Sequence, residues 1–167
     1  MLTKPAETRA APATDDMIDR LQTVLPKYHH LLKSILADIQ GDDRLTLPQL
    51  RSLRAIAASD GGMLTSILAR HLRSAPPTVT RIVDGLVERG LVERQADPDD
   101  RRRWRLVILP PGDDLLATYE TRLHTILADR LASIPPGRQA ALWLALDDLD
   151  LLLSDASDDP DDLHAIG

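Results

Sequence analysis

Residues 74–109 read SAPPTVTRIVDGLVERGLVERQADPDDRRRWRLVIL, and three kinds of local pattern follow one another inside them. Pro76 and Pro77 are tolerated only in the first turn of a helix, where a missing N–H costs nothing. Val79, Ile82, Val83, Leu86 and Val87 then recur at helical spacing, so one stripe is buried and Thr78, Thr80, Arg81 and Asp84 lie away from it or at its edge. Gly90 supplies a left-handed stop. LVERQA and RWRLVIL read as two short strands, joined by DPDDRR with its turn-forming Pro98 and aspartates. Trp104, Leu106 and Ile108 share one strand face, which sends Arg103 and Arg105 to the other.

Upstream, TLPQLRSLRAIAAS begins a helix with a capping box. Thr46 is the N-cap, Pro48 lies in the first turn and Gln49 stands three residues after the cap. Leu47, Leu50, Leu53 and Ile56 form its stripe, and Gly61-Gly62 ends the segment. A short helix is expected from about Ser66 to Leu72, capped by Thr65, with Ile67, Leu68 and Leu72 inward. Before it, Met17, Leu21, Val24, Tyr28, Leu31, Ile35 and Ile39 define a long amphipathic helix that Pro26 should kink or divide. Ile18, Leu25, Leu32 and Leu36 widen its stripe, which implies a partner helix. Downstream, Pro110, Pro111 and Gly112 mark a boundary, a helix is expected over Asp113–Ile134, and another follows the second PPG at 135–137. The last residues, from Ser154, are acidic and poor in apolar side chains, which predicts a disordered tail.

The 167 residues carry a net charge of -6, which by itself argues against an anionic partner. Counted by segment, the picture changes. Residues 1–43 sum to -2, residues 44–105 hold 12 arginines against 7 acids (+5), and residues 106–167 sum to -9. A basic middle between acidic arms suits a chain that offers one face to an anion. The absence of Cys excludes disulfides, thiolate nucleophiles and thiolate metal sites. His29 and His30 point about 100° apart on a helix and have no HxxxH partner, so no metal site is expected. No Gly-rich phosphate loop and no Ser-His-Asp grouping is present, so no enzyme and no cofactor is expected. The N-terminus lacks the apolar core of a signal peptide, and no apolar run approaches the roughly 18 residues of a spanning helix. A cytoplasmic protein with no membrane partner is the expectation.

Helix, short helix, tight connection, helix and a hairpin with a basic tip is the order of a winged helix-turn-helix. A helix fits the major groove of B-DNA with its N-terminal residues at base edges. Here that end is Ala75 to Arg81: Pro76 and Pro77 allow close approach, Thr78 and Thr80 can bond to bases or phosphates, and Arg81 can reach guanine or phosphate. Arg73 lies beside it. At the hairpin tip, Arg101, Arg102 or Arg103 can enter the minor groove, where the negative potential is strongest. One of the nearby aspartates, Asp100 first among them, should pair with an arginine and brace the wing. In isolation this arginine run would be a solvated turn; two elements after a helix-turn-helix it becomes a DNA-contacting feature.

The stretches LTLPQLRSLRAI, PPTVTRIVDGLVERGLVER and DPDDRR, with alternating apolar residues and Gly112 after them, resemble the MarR family of bacterial transcriptional regulators over roughly residues 15–153. Residue by residue, Thr78, Thr80 and Arg81 match recognition-helix positions, and Asp100, Arg101 and Arg102 match the wing core. The chain departs from the family at Ala75, Pro76 and Pro77, where polar residues are usual, and at Ile108-Leu109, where the family has LT. The resemblance implies a mainly α fold with a small hairpin, in which helices from both termini intertwine into a homodimer. The layout is then a disordered arm over 1–14, a dimerisation helix over 15–43, the winged helix-turn-helix over 44–110, dimerisation helices over 111–153 and the tail over 154–167.

The function so implied is a homodimeric regulator of double-stranded DNA, a repressor released from a pseudo-palindromic operator by a small lipophilic or phenolic effector. Tyr28, His30 and Tyr119, with Trp143, are candidates to line the effector cavity, while Trp104 and Trp143 are otherwise packing residues. The alternative expectation is a winged-helix dimer that serves as a protein-interaction module or anti-regulator without DNA binding, in keeping with the overall acidity, the acidic tail and the two prolines.

Overall fold

The computed structural model describes residues 13–40, 45–98, 100 and 103–154. Their elements run α1 (Thr14–Gln40), α2 (Leu47–Ala57), β1 (Met63–Leu64), α3 (Thr65–His71), α4 (Pro76–Glu88), β2 (Val92–Ala96), β3 (Trp104–Ile108), α5 (Pro110–Ala132) and α6 (Pro136–Leu153). The fold is mainly helical with one antiparallel three-stranded sheet in the order β1-β3-β2. The arm before residue 13, the GDDR break at 41–44, Asp99, Arg101, Arg102 and the tail beyond residue 154 lie outside the described residues.

The core is built where the sequence places helical stripes. Leu53 and Ile56 of α2, Leu68 of α3, Val79, Val83 and Leu86 of α4, and Leu106 of β3 are fully buried. The capping box forms as expected: the Gln49 N–H donates to Thr46 Oγ1, and the Thr46 N–H donates to Gln49 Oε1 at 2.9 Å. Ser52, a fully buried hydroxyl on α2, donates to the Pro48 carbonyl at 2.8 Å, so its burial leaves no donor unmet.

Several expected boundaries move, each for a physical reason. Pro26 does not divide α1, which runs as one helix. The residues around Pro26 are exposed, whereas Ile35 and Leu36 are core, so packing of the second half carries the helix through one missing bond. Thr65 does not cap α3. Strand β1 runs straight into that helix with Leu64 at the cap position, and the Thr65 hydroxyl turns instead to the Trp104 carbonyl at 3.5 Å. The helix expected from Asp113 starts at Pro110, with Pro110 and Pro111 in its first turn. Gly112 is buried there, and a side chain at this position would stand 2.4 Å from the Leu91 carbonyl oxygen. The same carbonyl accepts from the Leu109 N–H at 2.9 Å, so the end of the wing and the start of α5 form one packed junction. Strand β1 was not expected at all.

The sheet register pairs Val92 with Ile108, Arg94 with Leu106 and Ala96 with Trp104, and Met63 of β1 pairs with Leu106. Val92, Met63 and Leu106 are buried, so this face closes the core. Trp104 keeps the expected face but is 52% exposed, because the strand there has run past the helices. Trp143 is 68% exposed. Neither tryptophan, expected as a packing residue, is packed within this chain.

Candidate nucleic-acid interface

Helix α4 presents Thr78, Thr80 and Arg81 on its exposed side while Val79 and Val83 hold the opposite side in the core. Thr78 and Arg81 stand one turn apart and share a face. Pro76 and Pro77 are exposed in the first turn. They alter what that end can do. Ala75 caps the helix without a side-chain bond, the prolines carry no N–H, and the Thr78 and Val79 N–H groups already donate to the Ala75 carbonyl at 2.9 and 3.2 Å. The usual cluster of free main-chain donors at a helix N-terminus is absent from this one. Recognition then falls to side chains. Thr80 donates to the Pro76 carbonyl at 3.0 Å, which leaves its oxygen as an acceptor.

Arg73 occupies the connection between α3 and α4 with φ 48, the one non-glycine residue in the left-handed region among the described residues. Its N–H donates to the Arg70 carbonyl, and the Ser74 N–H reaches the Ala69 carbonyl at 3.1 Å, so the tight turn is closed by main-chain bonds. The side chain is exposed beside the helix that follows.

On the wing, Asp100 and Arg103 are exposed, and the Arg103 N–H donates to the Asp100 carbonyl at 2.8 Å. Arg101 and Arg102 lie outside the described residues. A brace of the expected kind stands at Asp97, three residues before the Asp100 that the sequence pointed to. Asp97 is 4% exposed, and its Oδ2 accepts from Arg105 Nη2 at 3.2 Å. A second pair joins β2 to α4: Arg94 and Asp84 meet at 2.6 Å. Both side chains are partly exposed, so this pair contributes about 0.2–1 kcal/mol. The turn signal at Asp97-Pro98 and the alternation at Arg105 were legible, but not their pairing.

The other half of the molecule holds the candidate effector region. Tyr119 is 1% exposed, and its hydroxyl pKa is raised above 10.0 by burial first and by the nearby Tyr28 second, with Arg54 opposing. Tyr28 is 49% exposed and His30 is exposed, two residues further along α1. A cavity of about 610 Å³ opens between α2 and α5, lined by Arg54, Ala57, Ala58, Asp113, Leu116, Ala117 and Glu120. Tyr28, His30 and Tyr119 do not line it. Arg54 pairs with Glu120 at 3.2 Å on the rim of this cavity. Among the described residues no cluster of His, Asp or Glu could hold a metal ion, and no helix is long and apolar enough to cross a membrane.

A family model described as MarR family matches residues 45–104, from the start of α2 into the wing. An HTH-type transcriptional regulator of Mycobacterium bovis is 32% identical over 113 residues, which cover 68% of this chain and 78% of that protein. The crystal structure of a Mycobacterium tuberculosis protein shares the fold at a TM-score of 0.73 and 24% identity, over 88% of this chain and 99% of that one. Streptococcus pneumoniae FabT, crystallised in complex with DNA, shares it at a TM-score of 0.68 and 17% identity, over 81% and 96% of the two chains. The matched stretch contains the capping box, α4 and most of the hairpin that shape the interface, and with the full-length relative it establishes that the chain belongs to the MarR family of transcriptional regulators.

Proposed function

We propose that the chain is a homodimeric repressor, cytoplasmic and without catalytic activity, that binds a pseudo-palindromic site on double-stranded DNA. The observation that carries this reading is the exposure of Thr78 and Arg81 on α4, with Arg73 before it and Arg103 on the wing, in the one segment of the chain that is net basic. Helix α4 enters the major groove, and the wing arginines, Arg101 and Arg102 among them, reach the minor groove. FabT is crystallised with DNA on the same fold, which supports the docking mode.

Dimerisation rests on a separate observation. Helix α6 has no buried residue, yet Trp143, Leu144, Leu151, Leu152 and Leu153 are each at least 60% exposed. An 18-residue helix with this surface needs a partner in water. A second copy supplies one, with the exposed Met17, Ile18 and Val24 of α1, and sets two α4 helices about one turn of DNA apart. The open groove between α2 and α5 offers its alanines and Leu116, beside a polar rim, to a lipophilic or phenolic effector. Such a ligand releases DNA by favouring one spacing of the recognition helices.

The test is a duplex enriched by the protein from a random-sequence pool, titrated by fluorescence anisotropy across salt concentrations, with the mass of the complex read by sedimentation. Expected are two chains per duplex, a steep salt dependence, and a loss of about 1–3 kcal/mol for Arg81→Ala. Absence of any enrichment or binding at low salt would favour the second reading, a protein-interaction module. That reading draws on the proline-blocked N-terminus of α4 and the net charge of -6.

A further inference from the structure

We propose that Asp97 and Arg105 are positioning residues that aim the wing by tying its tip to the turn between α2 and β1. This rests on the reading of the wing as a DNA contact. Strand β3 is paired on both edges only as far as Arg105, which faces Gln95 on β2 and Leu64 on β1; toward the tip, Trp104 pairs with Ala96 alone. Arg105 therefore sits at the fulcrum from which the hairpin projects.

Its guanidinium bridges the two sides of that fulcrum. Nη1 donates to the Gly61 carbonyl at 3.2 Å, and Nη2 donates to Asp97 Oδ2 at 3.2 Å. Gly61 and Gly62, with φ 71 and 89, hold the turn that presents this carbonyl, a conformation L side chains adopt with strain. Asp97 in turn organises the tip. Its Oδ1 accepts from the Asp100 N–H at 3.2 Å, and its own N–H donates to the Arg103 carbonyl at 3.0 Å. The nearly buried carboxylate thus holds Asp100, the Asp97 main chain holds Arg103, and one guanidinium anchors that carboxylate to the body of the domain. Planar donors that serve two acceptors at once are what Arg provides and Lys cannot fully replace.

The charge of Asp97 makes the proposal separable from simple electrostatics. Removing an anion beside a phosphate-binding surface should tighten DNA binding if only net charge matters. If Asp97 positions the wing, Asp97→Asn should instead weaken binding to the enriched duplex about tenfold and flatten its salt dependence by about one contact. Arg105→Met should do the same, and Arg105→Lys should recover part of the loss. Amide hydrogen exchange in the DNA-free, full-length protein gives an independent arm: Asp100 and Arg103 should lose protection in Asp97→Asn and Arg105→Met while the α2 and α4 amides keep theirs.

Should Asp97→Asn fail to fold, the Met and Lys variants at Arg105 carry the test. Binding by Asp97→Asn or Arg105→Met as tight as or tighter than wild type overturns the proposal. So does unchanged exchange at the tip. If the wild-type chain shows no salt-dependent binding, the DNA reading itself falls, whereas the exchange arm still decides whether the clamp exists.

Discussion

The segment from α2 to β3 and the terminal helices α1 and α6 use the same residues, leucine above all, to opposite effect. In the first, Leu53, Leu68, Leu86 and Leu106 are at 0% exposure. In α6 the leucines at 144, 146, 151, 152 and 153 are all more than half exposed. Helix α5 passes from one regime to the other, with Leu116 and Tyr119 buried near its start and Leu131 at 42% near its end. A helical stripe therefore predicts that a face will be covered, but not by which chain. Within the DNA-reading segment three helices and a sheet cover one another; α6 and the first half of α1 have no such cover within this chain, and the proposed second copy would supply it.

Removing α6 should have the largest effect. A chain ending at Pro135 should keep a cooperative unfolding transition, since no core residue is lost, and yet sediment as a monomer with operator affinity reduced about a hundredfold or more. A dimer that survived the deletion would move the interface elsewhere. Less drastic is a pair of identical substitutions. Leu86→Ala should destabilise folding by about 2–5 kcal/mol in chemical denaturation at any protein concentration. Leu151→Ala should leave the unfolding of a dilute monomer within about 0.5 kcal/mol and show its cost only in the concentration dependence of melting.

The smallest effect concerns Tyr119, where the two regions meet. Its pKa is raised in the folded state, so the folded chain holds the phenolic proton after the unfolded chain has lost it. Stability is then fully present below about pH 10 and falls as pH climbs from there through the folded value. Tyr119→Phe should melt with a shallower decline above that pH than wild type. An identical decline would mean that Tyr119 is not the group responsible.

Much of the candidate site was legible before any coordinates. Residues 75–81 as an exposed helix start, Gly90 as its stop and the alternation of β3 follow from spacing and backbone preference, which act over a few residues. Local pattern could not show that Asp97 would pair with Arg105, eight residues away, because that pairing depends on where β1 and the Gly61 carbonyl lie. Nor could it show β1, two residues long, which is a strand only because β3 offers it an open edge.

The order of helices, the capping box at Thr46 and Gln49, the stripes that become core and the basic hairpin between acidic arms all follow from local pattern, since each depends on neighbours within one or two turns. Tertiary structure alone decided the rest: that α1 runs unbroken through Pro26, that Pro110 and Pro111 begin a helix, that Trp104 stands outside the core, and that Arg54 serves the cavity rim. In each of these, contacts between residues far apart in the chain outweigh a local preference worth a few kcal/mol or less.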